Sequence, residues 1–292
     1  MRRWLLFCIA AVVVLAGCRK EQGTADDKDF VIATSFYPMY IHVLNIAGGI
    51  PGVTVVNVTP PMTGCLHDYQ LTPADLKRLE AARVFVINGA GMESFIEHVA
   101  RRNPGLAIIE ASKGIDCIKD HHGGCNPHLW VSVSLAIRQV QSIAEQLAAV
   151  DPDRAARYRA NADRYAAKLE ELKKEMHAAL DRIPKRPVVT FHEAFPYLTR
   201  EFGIEVAAVI EREPGTEPGA GEMAEIIRTV KQRGVRVIYA EPQYPARSAD
   251  TIARETGAKV HTLDPAVTGP MEPDAYLAIM RRNLKVLKET LP

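Results

Sequence analysis

The sequence predicts an α/β protein with two lobes, each a parallel sheet flanked by helices, joined by one long rigid α-helix. In each half of the 292-residue chain, short runs rich in Val and Ile alternate with longer segments of helical periodicity. Repeated strand–helix units indicate parallel sheets, because right-handed crossovers return each strand beside the last. A stretch of good helix formers without glycine separates the halves and predicts the linking helix.

The N-terminus has the pattern of an export signal. Two arginines precede an uncharged run that ends at Gly17 and is too short to cross a bilayer, which takes about 20 residues. The tetrapeptide at residues 15–18 resembles the bacterial lipobox, so we predict a lipoprotein signal peptide over residues 1–17 and lipidation of Cys18. A plain secretory signal cleaved near this point is the alternative. Residues 18–28 are then a polar tether.

The N-terminal lobe is predicted over residues 29–150. Its candidate strands carry continuous Val/Ile character, which suits parallel strands buried on both faces. One helix has a well-defined start, because Thr72 is followed by Pro73 at the first helical position and by Asp75 in the first turn. The predicted strands lie at residues 30–36, 53–59, 83–89 and 106–112.

The linking helix is predicted over residues 151–183 and the C-terminal lobe over residues 184–292. About 30 helical residues at 1.5 Å each make a helix of roughly 45 Å, which exceeds a usual domain helix. A rigid strut between two lobes explains this length, and a long surface helix is the alternative. The second lobe repeats the alternation, with predicted strands at residues 187–192, 204–210, 235–241 and 258–264.

Composition narrows the range of partners. Hydrophobic residues make up 47% and charged residues 24% of the chain, as in ordinary globular proteins. The net charge is only +1, so neither sign dominates. We therefore expect no nucleic-acid partner.

Four side chains fall where an α/β protein places its ligands, beyond the carboxyl ends of parallel strands. His192 and Asp264 end predicted strands of the second lobe, and His67 and His128 lie in loops that follow strands of the first. Three neutral imidazoles and one carboxylate oxygen suit a tetrahedral Zn²⁺ site. The pattern therefore predicts a metal site with two ligands from each lobe.

Each of these residues also has a purely structural interpretation. A histidine at a strand end, such as His192, could hydrogen-bond a loop, and His67 could cap the next helix. Asp264 precedes a proline and could begin a turn, because Asp commonly does so. Glu241 has the same sequence context, and we interpret it as a turn residue. The ligand hypothesis gains weight because one fold places all four candidates on one rim.

Three cysteines remain once the two N-terminal ones are assigned to the signal peptide and the anchor. These are Cys65, Cys117 and Cys125, and an exported protein can form disulfides. Cys117 and Cys125 could close the loop between them. Cys65 and Cys125 could pair instead if His67 and His128 meet. Spacing alone does not choose between these pairings.

A series of motifs resembles the metal-specific solute-binding proteins of ABC importers, the zinc (ZnuA-like, cluster A-I) and manganese group. Residues 67–99 resemble the first metal-binding segment of that family, and "NPHLWVS" at residues 126–132 resembles the second. Residues 191–206 resemble the third segment, and residues 213–243 with "HTLDP" resemble the C-terminal lobe. The resemblance covers nearly all of residues 30–291.

The resemblance implies a function as well as a fold. It implies high-affinity, extracytoplasmic binding of one divalent cation between the lobes by His67, His128, His192 and Asp264, and delivery to an importer permease. Zinc is favoured over manganese, because imidazole is a borderline donor and His192 replaces a carboxylate typical of manganese carriers. The carrier would be a monomer, anchored through Cys18 and facing the periplasm or exterior, and would not be an enzyme. Glu193, Glu217 or Glu241 would orient the imidazoles.

The chain departs from the family pattern in two places. A short "KDHHGG" segment replaces the long His-rich loop of many zinc members, so His121 and His122 are at most accessory metal ligands. Cys65 and Cys125 beside the ligands are also unexpected, and we interpret them as a disulfide that braces the site, with a thiolate ligand as the alternative. A manganese carrier, a zinc hydrolase and a surface adhesin are the alternative functions.

Overall fold

The computed structural model describes residues 29–67, 69–120, 123–211 and 217–292. The predicted signal peptide and tether, with the lipidation site Cys18, lie outside the described residues, as do the accessory histidines His121 and His122. No helix within these ranges is both long and apolar enough to span a membrane.

The first lobe is a four-stranded parallel sheet with strand order β2-β1-β3-β4. Helices follow its strands, as the alternation of apolar runs and helical segments predicts. The capping box that starts α2 at Thr72 and Asp75 is present, with Pro73 in the first turn. The elements are β1 Phe30–Thr34, α1 Tyr37–Ala47, β2 Val53–Asn57, α2 Pro73–Glu80, β3 Val84–Ile87, α3 Ile96–Arg102, β4 Ala107–Glu110 and α4 Val133–Val150.

The second lobe repeats this topology, with a four-stranded parallel sheet of order β6-β5-β7-β8. In both sheets the first strand lies between the second and third, so the chain changes direction at equivalent points. Loops that leave the strand ends at such points build ligand sites. The elements are β5 Val188–Thr190, α6 Pro196–Glu201, β6 Val206–Val209, α7 Ala220–Arg233, β7 Val237–Ala240, α8 Arg247–Thr256, β8 Lys259–Thr262 and α9 Ala275–Thr290.

A long helix, α5 at Ala155–Leu180, joins the lobes, and the predicted two-lobe α/β fold is confirmed. Its 26 residues extend about 39 Å. Pro152 disfavours helical backbone at the preceding Asp151, so α4 stops there, with Asp151 as its C-cap. A short 3₁₀ turn at Pro152–Arg154 then leads into α5.

The buried face of α5 connects the two lobes through one hydrophobic core. Its apolar residues recur every three or four positions and pack against α1, α4 and α9. The same core cluster continues into residues of both sheets. The buried residues of this face are Tyr158, Ala162, Tyr165, Ala166, Leu169, Leu172, Met176 and Leu180.

Trp130 links the two lobes beside the predicted ligands. Its indole N–H donates to the carbonyl of Pro265 at 2.7 Å, and its own carbonyl accepts from the hydroxyl of Tyr276 at 2.7 Å. Trp130 is fully buried. The segment that carries His128 is therefore fixed against the segment that carries Asp264.

Candidate metal centre

Three of the predicted ligands meet between the lobes. The Nε2 atom of His128 lies 3.3 Å from the Nε2 of His67 and 3.3 Å from the Nε2 of His192. His67 and His128 belong to the first lobe, whereas His192 follows β5 of the second. The structure thus brings together three imidazoles that are distant in sequence.

The spacing of these nitrogen atoms fits a bound cation. A tetrahedral zinc ion with Zn–N distances of about 2.0–2.1 Å separates neighbouring imidazole nitrogens by about 3.3–3.4 Å. Both separations at His128 are 3.3 Å. The positions of the other two histidines around His128 therefore suit a zinc-sized ion, whereas His67 and His192 have to come closer to each other to share it.

Asn126 fixes the tautomer of His128. Its side-chain oxygen accepts from the backbone N–H and from the Nδ1–H of His128, both at 3.1 Å. The amide of Asn126 is itself oriented, because its nitrogen donates to the carbonyl of Glu193 at 2.9 Å. With the proton on Nδ1, the Nε2 lone pair of His128 points towards the other two histidines.

Glu241 orients His192 in the same way. Its carboxylate accepts from Nδ1 of His192, and its other oxygen accepts from the side chain of Gln243 at 2.9 Å. Both members of the pair are buried. The sequence context of Glu241 favours a turn residue, although Glu241 is also one of three candidates for orienting an imidazole. In the structure it orients His192, whereas Glu217 is exposed.

The pKa values of the two buried imidazoles, His128 and His192, shift in opposite directions. Burial lowers the pKa of His128 well below its usual value, and the neighbouring His192 and His67 lower it further. Burial would also lower the pKa of His192, but the carboxylate of Glu241 and the hydrogen-bonded thiol of Cys65 together outweigh it and raise that pKa to about 10. A cation at Nε2 takes the place of the proton that this carboxylate stabilises.

The loop that carries His67 is fixed on both sides. Leu66 is fully buried, and its backbone N–H donates to the sulfur of Met92 at 3.4 Å. After the histidine, the hydroxyl of Tyr69 donates to Asp75 at 2.8 Å, inside the capping box of α2. The first helix after the loop therefore helps to set the position of His67.

The predicted disulfide between Cys65 and Cys125 is wrong. Cys125 is bonded to Cys117, with a Cα–Cα distance of 5.6 Å. The reason is local, because an antiparallel bridge between Lys119 and Cys125 folds the segment back on itself. Cys65 is free, and its sulfur lies 3.5 Å from Nε2 of His128 and 3.8 Å from Nε2 of His192.

Donor atoms of Cys65, His67 and His128 all lie within 4.8 Å of one another. Among the described residues, neither His192 nor Asp264 belongs to this mutually close group. His192 reaches it through its contacts with His128 and Cys65.

Asp264 is engaged within its own loop. Its carboxylate accepts from the backbone N–H of Ala266 at 2.8 Å, which is a turn contact, and its backbone N–H donates to Asn283 at 2.9 Å. Burial raises the pKa of Asp264, and the nearby charge of Glu241 raises it further. Asp264 thus lies near the partner of His192, and its role as a ligand stays a prediction.

A pocket of about 280 Å³ lies against the site. His67 and His128 form part of its wall, together with the acidic residues Asp120 and Glu193. Acidic side chains beside the imidazoles favour the approach of a cation.

Comparisons with known proteins agree on the family. The family profile described as "Zinc-uptake complex component A periplasmic" matches residues 32–290. The high-affinity zinc uptake system protein ZnuA of Bacillus subtilis (strain 168) is 31% identical over 319 residues, which cover 99% of this chain and 98% of that protein.

Two solved structures are similar to this protein over most of the chain. The solute-binding protein FpvC of Pseudomonas aeruginosa in complex with Mn²⁺ matches with a TM-score of 0.83 and 33% identity, over 90% of this chain and 99% of that one. The laminin-binding protein Lmb of Streptococcus agalactiae, described as having adhesin and metal-transporting activity, matches with a TM-score of 0.80 and 28% identity over 90% and 99%. Because the profile covers most of the chain and the Bacillus relative aligns almost end to end, the chain belongs to the ZnuA family of zinc-uptake components.

Proposed function

We propose that this protein binds a divalent metal ion, zinc in preference, with high affinity between its lobes and delivers it to an ABC importer permease. The observation that carries the proposal is that the imidazole Nε2 atoms of His67, from the first lobe, and His192, from the second, each lie 3.3 Å from the Nε2 of His128. The zinc-uptake relative from Bacillus subtilis supports the same cargo. A solute-binding protein performs no chemistry on its cargo, so we propose that the protein is not an enzyme.

The proposed ligands are His67, His128 and His192, each through Nε2. Acceptors at Nδ1 of His128 and His192 leave the Nε2 lone pairs of these two rings facing each other. Two lone pairs at this distance repel unless a cation or a proton lies between them. For the fourth position of a tetrahedral site, the family resemblance offers Asp264.

Zinc is favoured over manganese by the chemistry of the donors. Imidazole nitrogen is a borderline donor that suits zinc, whereas Mn²⁺ prefers more oxygen ligands. A manganese carrier of the same family is the alternative, and the Mn²⁺ complex of the Pseudomonas relative supports it.

Binding should favour a closed arrangement of the lobes. Because ligands come from both lobes, the ion interacts best with the arrangement that draws His67 and His192 together, and so shifts the population towards it. The motion should be small, because one continuous core runs through α5 into both lobes.

The proposed cellular setting follows from the N-terminus and the family. We propose export, lipidation of Cys18 and attachment to a membrane facing the periplasm or exterior, with the protein acting as a monomer. Acidic residues at the pocket beside His67 and His128 would guide the cation to the site.

Metal content after purification with zinc, manganese, nickel and copper in competition tests the proposal. We expect one zinc per chain in the mature protein and its loss in His192→Ala. The matched control is His98→Ala, which removes an exposed histidine from α3. Equal zinc in the His192→Ala and control proteins would remove His192 from the site, and turnover of model esters in proportion to bound zinc would favour a hydrolase.

A further inference from the structure

We infer that Cys65 supplies a thiolate to the same cation, so that sulfur and three imidazoles form the coordination sphere and the cargo is a thiophilic metal ion. The inference rests on the proposed function, because it concerns the same site. It replaces the oxygen donor that the family resemblance suggests with a donor that the fold places beside the histidines.

The distances around Cys65 match those of a mixed sulfur–nitrogen zinc site. With Zn–S of about 2.3 Å and Zn–N of about 2.0–2.1 Å, a tetrahedral angle separates sulfur from nitrogen by about 3.5–3.6 Å. The sulfur of Cys65 lies 3.5 Å from Nε2 of His128 and 3.8 Å from Nε2 of His192. The third side of this triangle, between His128 and His192, is 3.3 Å. These three atoms therefore form one face of a zinc tetrahedron.

His67 approaches the same position from the other side. Its Nε2 lies 3.3 Å from that of His128, and its ligand atom lies within 4.8 Å of the Cys65 sulfur. Leu66, the residue between Cys65 and His67, is fully buried in the core and anchors this loop.

The backbone before the thiol is held in a defined position. The hydroxyl of Tyr244, a residue of the second lobe, lies close to the backbone that leads into Cys65. Gly64 has a φ of +81°, and a Cβ atom there would lie 3.4 Å from the same hydroxyl. The residue before Cys65 therefore has to adopt a left-handed conformation close to Tyr244, which glycine allows without strain.

The competing candidates for Cys65 and for the fourth position are both engaged elsewhere. The disulfide partner that the sequence suggested, Cys125, is bonded to Cys117. The carboxylate of Asp264 accepts a hydrogen bond from the backbone N–H of Ala266 within its own turn. The sulfur of Cys65, in contrast, already lies within 3.8 Å of both His128 and His192.

A thiolate ligand determines the class of cargo. When the metal–sulfur bond forms, the thiol proton leaves to solvent, and the Zn–thiolate unit carries one positive charge fewer than a site of neutral donors. Thiolate favours zinc and other thiophilic ions, whereas Mn²⁺ favours oxygen ligands. Cys65 should therefore widen the preference for zinc over manganese beyond what three imidazoles give.

X-ray absorption spectroscopy at the zinc edge of the mature, zinc-loaded protein tests the inference directly. We expect one sulfur scatterer at about 2.3 Å and nitrogen scatterers at about 2.0–2.1 Å. Substitution of Co²⁺ for zinc should add a sulfur-to-cobalt charge-transfer band in the near ultraviolet. Cys65→Ser should abolish both signals, whereas Asp264→Asn should keep them.

Affinity measurements give a second readout. Cys65→Ala should weaken zinc binding by more than about 100-fold, which is the upper end of the effect of losing a residue that only hydrogen-bonds a ligand. The same substitution should weaken Mn²⁺ binding much less. Stoichiometric zinc with only nitrogen and oxygen scatterers would overturn the role of Cys65 and leave the proposed function standing. Absence of stoichiometric zinc in the wild-type protein would overturn the proposed function, and the thiolate with it.

Discussion

The folded protein should lose stability in mild acid because of one histidine that lies outside the metal site. His42 on α1 is fully buried, with its ring 5.5 Å from that of Tyr276 and 6.0 Å from that of Tyr165. Neither ring nitrogen has a hydrogen-bond partner within the described part of the chain. Burial therefore lowers the pKa of His42 from 6.5 to about 3.

The size of the effect follows from linkage. Because the pKa is lower in the folded state, the unfolded chain binds more protons between the two values, and stability falls as pH drops below about 6.5. At about pH 5 the unfolded chain is 1.5 pH units below its own pKa, and each unit corresponds to about 1.36 kcal/mol. The free energy of unfolding should therefore be lower by about 2 kcal/mol at about pH 5 than at about pH 7.5 because of His42 alone.

Urea unfolding of the metal-free protein at both pH values, in parallel with His42→Leu, isolates this contribution. Leucine fills a similar volume and does not titrate, so the other ionisable groups contribute equally in both proteins and cancel in the difference. The wild-type protein should lose about 2 kcal/mol more than the variant between the two pH values. An equal loss of unfolding free energy in both proteins would refute the conclusion that His42 stays neutral in the folded protein.

Three further predictions concern the supports of the site and of the lobes. Glu241→Gln should weaken zinc binding by about 10–100-fold, since it removes the charged acceptor that orients an imidazole, and chelator competition measures it; unchanged affinity would contradict that role. Replacing Cys117 and Cys125 by serine opens a closed loop of about nine residues and should lower the free energy of unfolding, measured in urea, by about 2.5 kcal/mol. The same urea midpoint and the same denaturant slope in the variant and the wild-type protein would contradict this contribution. Tyr276→Phe leaves the buried carbonyl of Trp130 without its hydroxyl donor and should lower the free energy of unfolding by about 1–3 kcal/mol, while a neutral result would show that another donor replaces it.

Much of the fold was predictable because its signals are local. Continuous Val/Ile runs place the eight strands, and the Thr72–Asp75 cap places the start of α2, without knowledge of distant contacts. The convergence of His67, His128 and His192 was also predictable, because strand ends of parallel sheets share an edge.

The remaining features depend on distant contacts and on loop shape. The pairing of Cys125 depends on a bridge to Lys119 that no periodic pattern encodes. The choice of Glu241 among the three candidates, and its pairing with His192, depend on β5 and β7 being neighbours. The position of the Cys65 thiol depends on an irregular loop whose conformation is set by contacts with both lobes.

The shared hydrophobic interior along α5 has a consequence for unloading. Pulling the two halves apart would expose apolar surface to water, at about 25 cal/mol for each Å². The cargo should therefore leave through rearrangement of the short irregular segments around it, above all the one between β2 and α2, while the scaffold stays intact. A permease that takes the metal ion from this protein should therefore bind that segment and leave the two lobes in contact.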